Sequence, residues 1–147
     1  MRPETKLNNR LLKGISYLWQ VPQNLLGLGV IFFSRAKPGE GIKPYWATKA
    51  NFGVSLGKYI ISNSGDKTTL LHEAGHQKQS LMLGPLYLLI VGLPSFCGNI
   101  WDRLFHKSWS WEKRDIWYYS LPWEKWADKL GGVERFIKPD STILLEK

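Results

Sequence analysis

The chain has 147 residues, 44% of them hydrophobic and 22% charged, with a net charge of +8. That balance fits one folded domain and excludes disordered and collagen-like classes. Its 20 Lys and Arg residues are spread along the chain, with Lys113-Arg114 the single adjacent basic pair, so no basic arm forms and no nucleic-acid partner is expected.

In chain order, apolar Leu7, Leu11, Leu12, Ile15 and Leu18 predict a helix over 6–19. Pro22 ends it, and a second apolar helix is expected over 23–33. Lys37 to Gly41 (KPGEG) reads as a turn. Tyr45–Ala50 and Val54–Ser62 read as two short strands joined near Asn51-Phe52-Gly53. Asn63-Ser64-Gly65 is a turn, and Asp66 is placed to cap a helix that runs to Gly84-Pro85. Ile100–His106 is expected as a helix and Lys107–Lys113 as a loop. Ser120-Leu121-Pro122 opens another helix, Trp123–Leu130, which stops at Gly131-Gly132. Ile143-Leu144-Leu145 is a short strand or tail.

The expected fold is therefore α+β, mostly helical, with a short hairpin before the helix from Asp66. It forms one domain over 1–147: apolar helices over 1–36, the body over 45–132 and a tail over 133–147.

Two stretches, Gly14–Ser34 and Gln79–Trp101, contain no charged residue and have about the length that crosses a bilayer. Both carry prolines and polar residues, and both are flanked by basic residues, which gives no orientation bias. Buried core helices broken by proline are the favoured reading, with contact at a membrane surface as the alternative. No cleavable signal peptide is read. The expected localisation is cytoplasmic or peripheral to the membrane, with secretion as an effector left open. Cys97, the one cysteine, excludes an internal disulfide and reads as a packed thiol.

His72-Glu73-Ala74-Gly75-His76 carries the chemistry. This HExxH pattern uses two of the three histidines in the chain. On a helix, positions i and i+4 share a face, so both imidazoles can aim at one point. Zn²⁺ fits that donor set, needs at least one further protein ligand and keeps a position for water. Glu73 stands where a carboxylate can take a proton from that water. Gly53-Val54-Ser55-Leu56-Gly57 matches GxSxG by letter, but Lys58-Tyr59-Ile60-Ile61 continues as strand, so a glycine-flanked hairpin or bulge is the better reading.

The third ligand should come from downstream. Glu124 and Asp128 lie four apart on one short helix. Glu124 can bind the metal while Asp128 accepts the outer N–H of a liganding histidine. His106 is the runner-up ligand, followed by Asp115. Tyr118 or Tyr119 can offer an O–H to an oxyanion.

HExxH followed by an ExxxD helix resembles the gluzincin branch of zinc metallopeptidases. The resemblance implies His72, His76 and Glu124 as ligands of one Zn²⁺, Glu73 as general base and Asp128 as the histidine's partner. The interval to Glu124 is longer than in the simplest members, and Trp123 stands where they have Asn. The metzincin extension is absent, with Gln79 and Met82 at its Gly and His positions. Residues 66–132 also resemble a group of small predicted zincins and segments of bacterial polymorphic-toxin C-termini, which implies a bacterial or phage setting and a minimal zincin-like domain. The expected activity is zinc-dependent hydrolysis of a peptide or protein substrate. The alternative is a degenerate, non-catalytic binding or membrane-associated module.

Overall fold

The computed structural model describes residues 14, 15 and 18–135. The helix expected over 6–19 falls mostly, and the segment 143–145 wholly, outside them. In order, the described elements are helix α1 (Val21–Ser34), strands β1 (Lys37–Gly39), β2 (Tyr45–Ala47), β3 (Gly53–Leu56) and β4 (Tyr59–Ser62), and helix α2 (Lys67–Leu83). A 3-10 turn (Gly84–Leu86) and a π turn (Leu88–Gly92) then lead into α3 (Leu93–Phe105), α4 (Trp111–Ser120) and α5 (Pro122–Gly131). The fold is mostly helical α+β with one small sheet.

The sheet has the order β1-β2-β4-β3. β1 pairs antiparallel with β2, β2 parallel with β4, and β3 antiparallel with β4. The hairpin therefore lies one turn later than expected. Val54–Ser62 is not one strand but two, reversed at Gly57, whose φ of +59° suits glycine. The Lys37–Gly41 segment is not simply a turn, because its first three residues form β1. The expected loop over Lys107–Lys113 stops at Ser110, whose side chain caps α4 by accepting from the Lys113 N–H.

Helix α2 starts where Asp66 was expected to start it. The Asp66 carboxylate accepts from the Thr69 N–H at 2.9 Å, and Ser64 Oγ donates to its other oxygen. One side of α2 packs on β3 and β4, and the other packs most extensively on α5. A small apolar core of Ile60, Leu70 and Ala74, flanked by Tyr45, lies between α2 and the sheet.

The α2–α5 contact is set by two glycines. A Cβ at Gly75 would overlap the Ala127 carbonyl, and one at Gly131 would overlap the Leu71 carbonyl. The backbones touch directly at both points, and this brings α5 onto the motif.

The two uncharged stretches contribute little to the core: Tyr87 and Val91 of the second are buried, but most of their large apolar residues are exposed. In α1 the residues turned inward are Gln23 and Gly27, with Gln20 just before the helix, while Leu25, Phe32 and Phe33 face outward. The inward glutamines are held by specific bonds: Gln20 Nε2 donates to Ser80 Oγ at 2.8 Å, and Gln23 Nε2 donates to the Gly84 carbonyl. Once those positions face inward, the leucines and phenylalanines between them must face out. Cys97 is likewise exposed rather than packed.

Candidate metal centre

Helical spacing places His72 and His76 on the same side of α2, their rings 4.7 Å apart and nearly perpendicular. Helix α5 begins at Pro122, which suits the first turn of a helix, and it brings Glu124 to the pair. Glu124 Oε2 lies 3.1 Å from His72 Nε2 and 3.1 Å from His76 Nε2. Among the described residues, His72, His76 and Glu124 form the group whose donor atoms, all within 4.8 Å of one another, can hold a metal ion. All three are buried, and Glu124 is fully so.

Each imidazole is fixed through its other nitrogen. His72 Nδ1 lies 2.7 Å from Asp128 Oδ1, one turn beyond Glu124 on the same helix. Asp128 is itself held by the Arg135 guanidinium. His76 Nδ1 lies 2.7 Å from Gln79 Oε1, and Gln79 donates in turn to the Trp123 carbonyl. A carboxylate and an amide oxygen can only accept, so both Nδ1 atoms carry the proton. With Nδ1 engaged in this way, both rings present Nε2 to Glu124, the nitrogen that would bind a metal.

Charges reinforce the arrangement. Burial opposes the charged form of His72, but the Asp128 and Glu124 carboxylates outweigh it and raise its pKa to about 9. Burial likewise opposes an ionised Glu124, yet the two imidazoles hold it well below the usual carboxylate range. A cation entering the centre would therefore compete with the proton held by His72.

Glu73 lies on the sheet side of α2. A Cβ at Gly53 would stand 2.7 Å from Glu73 Oε1, so this glycine makes the room the carboxylate occupies. Glu73 Oε2 is buried and accepts no hydrogen bond, and neither does Glu124 Oε1. Buried carboxylate oxygens without donors are unfavourable unless a cation or water meets them, so the donor set fits a divalent metal. Burial raises the Glu73 pKa, partly offset by His76 and His72, which moves a carboxylate toward the range useful for a base at neutral pH.

Tyr119 packs edge-on against His72 at 5.1 Å beneath the Arg135 guanidinium, and burial, against the pull of Arg135, pushes its pKa to about 12. Tyr118 is near Glu124, but its hydroxyl donates to the Ser95 carbonyl, and burial followed by Glu124 raises its pKa.

His106 is held elsewhere. Its ring stacks on Trp109 at 3.8 Å, its edge meets Trp117, and Nδ1 lies 3.2 Å from Asp102, which also pairs with Arg114. Neither His106 nor Asp115 joins the metal-holding group among the described residues. His106→Ala is expected to leave zinc stoichiometry unchanged in elemental mass spectrometry while lowering stability by about 1–3 kcal/mol in chemical unfolding, through loss of the stack and of one Asp102 partner. Zinc lost from this variant while its fold is retained would instead make His106 a ligand.

Two participants escaped sequence reasoning. Gln79 is three residues beyond His76, on the same face, and that spacing was a usable signal. Arg135 lies past the helix end at Gly132 and gave none. No protein-family model, curated protein or solved structure matches this chain.

Proposed function

We propose that the chain is a zinc-dependent metallopeptidase of the gluzincin kind, with His72, His76 and Glu124 as ligands. The observation that carries this reading is the convergence of two Nε2 atoms on one Glu124 oxygen, with both Nδ1 atoms already engaged by Asp128 and Gln79. Zinc held by these residues would supply Lewis acidity, polarising a scissile carbonyl and making water a stronger acid. Glu73 takes the proton from the attacking water and passes it to the leaving amine, and its raised pKa suits both transfers. Asp128 and Gln79 hold the two imidazoles in the required tautomer. The substrate is a peptide or protein segment, laid extended along β3, which has β4 as its one neighbour in the sheet and starts at the glycine facing Glu73.

The second reading is a non-catalytic, metal-holding module, favoured by the broad apolar exterior of α1 and the Leu81–Phe105 segment. Elemental mass spectrometry of the purified chain tests the centre directly. About one zinc per chain is expected, and Glu124→Ala should lose it, with affinity down at least about 10–100-fold. No zinc after reconstitution would sink both readings. Zinc without cleavage of any member of a quenched-fluorescent peptide library would leave the module.

A further inference from the structure

We infer that the chain docks onto an anionic lipid bilayer through the apolar exterior shared by α1 and the Leu81–Phe105 segment. This inference rests on the outer surface and is independent of the metal centre. Helix α1 is inverted relative to a helix of a water-soluble fold. Gln23 and Gly27 face in, while Leu25, Phe32 and Phe33 face out, the last two 77% and 84% exposed. The end of α2 repeats the inversion, burying Gln79 and Ser80 and exposing Met82. The two segments are neighbours, tied by the Gln20–Ser80 and Gln23–Gly84 bonds and by the Trp19 indole packed on Gly84. Their outward residues therefore extend one apolar surface, continued by Leu89 and Phe96. A surface of this extent marks an interface.

Charge identifies the occupant. Neither 14–34 nor 79–101 contains a charged residue; Arg35 and Lys37 follow the first, and the second is followed by Asp102, which is buried and paired with Arg114, and then by Arg103 and Lys107. An apolar band bounded by cations matches acyl chains beneath anionic headgroups. The backbone agrees. Between α2 and α3 the chain bends by 117° through its 3-10 and π turns, and the Gly84 carbonyl at that break accepts both the Tyr87 N–H and Gln23 Nε2, from within the protein. Irregular backbone facing lipid requires such internal partners. Among the described residues no single helix is long and apolar enough to cross a membrane, and the bent pair that is so by length and composition includes α2, which buries His72, Glu73 and His76 against the protein, so we place the apolar surface in the interface.

Vesicle flotation tests this. The full chain, purified in mild detergent, is mixed with phosphatidylcholine vesicles with or without roughly a third phosphatidylglycerol, the detergent is removed, and flotation is read at about 0.1 M and 1 M salt, where charge attraction is respectively active and screened. Most of the protein is expected to float with anionic vesicles at both salts, and Lys37→Glu with Lys107→Glu should lower only the low-salt fraction. Combined Leu25→Gln, Phe32→Ser and Phe33→Ser should lower flotation several-fold at both salts with zinc content unchanged. Phe33→Ser alone, at the exposed end of α1, gives a smaller loss and serves if the triple variant misfolds. Protein that stays unfloated with every vesicle, that is stripped completely by salt, or that forms a discrete oligomer indifferent to lipid would overturn the inference.

Discussion

Glu73→Gln is expected to keep zinc and lower peptide hydrolysis by about 10²–10⁴-fold, the usual contribution of a positioned general base. The amide preserves shape and the contact with Gly53, but it cannot take a proton. Glu73 is not in the metal-holding group of His72, His76 and Glu124, so zinc content should match that of the parent chain. Affinity for zinc should change little, because the carboxylate charge lost beside the site is offset by removing an ionised group that is buried without a donor. Zinc content and turnover measured on the same preparation check both halves. Hydrolysis retained with zinc in place would remove Glu73 from the chemistry. Loss of zinc together with hydrolysis would give Glu73 a role in holding the metal.

The second large effect concerns stability. Gly75→Ala gains about 1 kcal/mol in helix propensity, but its methyl group meets the Ala127 carbonyl, which is backbone and cannot rotate away. Overpacking of that kind destabilises by about 1–3 kcal/mol, or more where the obstacle is rigid. The melting temperature should fall by roughly 2–12 °C in a domain of this size. Because α5 carries Glu124 and Asp128, moving it outward should also weaken zinc binding. Gly29→Ala is the matched control: its Cβ would meet nothing within 4 Å, so the same substitution there should stabilise by about 0.5–1 kcal/mol. Thermal unfolding of both variants, with and without zinc, separates propensity from packing. Equal melting temperatures would show that α2 and α5 tolerate separation.

The parts legible in the sequence were those with local causes. Two histidines four apart on a helix must share a face, and Glu124 and Asp128 are bracketed by Pro122 and Gly131-Gly132, which mark where their helix starts and stops. Asp66 announced the start of α2 for the same reason. The parts that were not legible depend on which face each segment turns inward. Helix α4, over Trp111–Ser120, fully buries none of its residues, Tyr118 and Tyr119 being half-buried, and showed no apolar stripe to read. The parallel pairing of β2 with β4 joins Trp46 to Ile61 across fifteen positions, and hydropathy carries no trace of it. The inversion of α1 was hidden because an uncharged run looks the same whether its apolar residues end in a core or on the surface, and the glutamines that decide the matter were read as interruptions. His106 was a plausible ligand by residue type, and only its stack on Trp109 and its bond to Asp102 assign it elsewhere.

The bare contact between Gly75 and Ala127, matched by that between Gly131 and Leu71, has a consequence for inheritance. The gap separating the histidines from Glu124 is fixed by main-chain atoms, which every amino acid possesses. Substitutions at the outward positions of either helix can change side chains without altering that gap. Much of the surrounding surface can therefore change while the spacing holds, and constraint on it concentrates at the two glycines and at the His72–Asp128 and Gln79–Trp123 bonds that also join the helices.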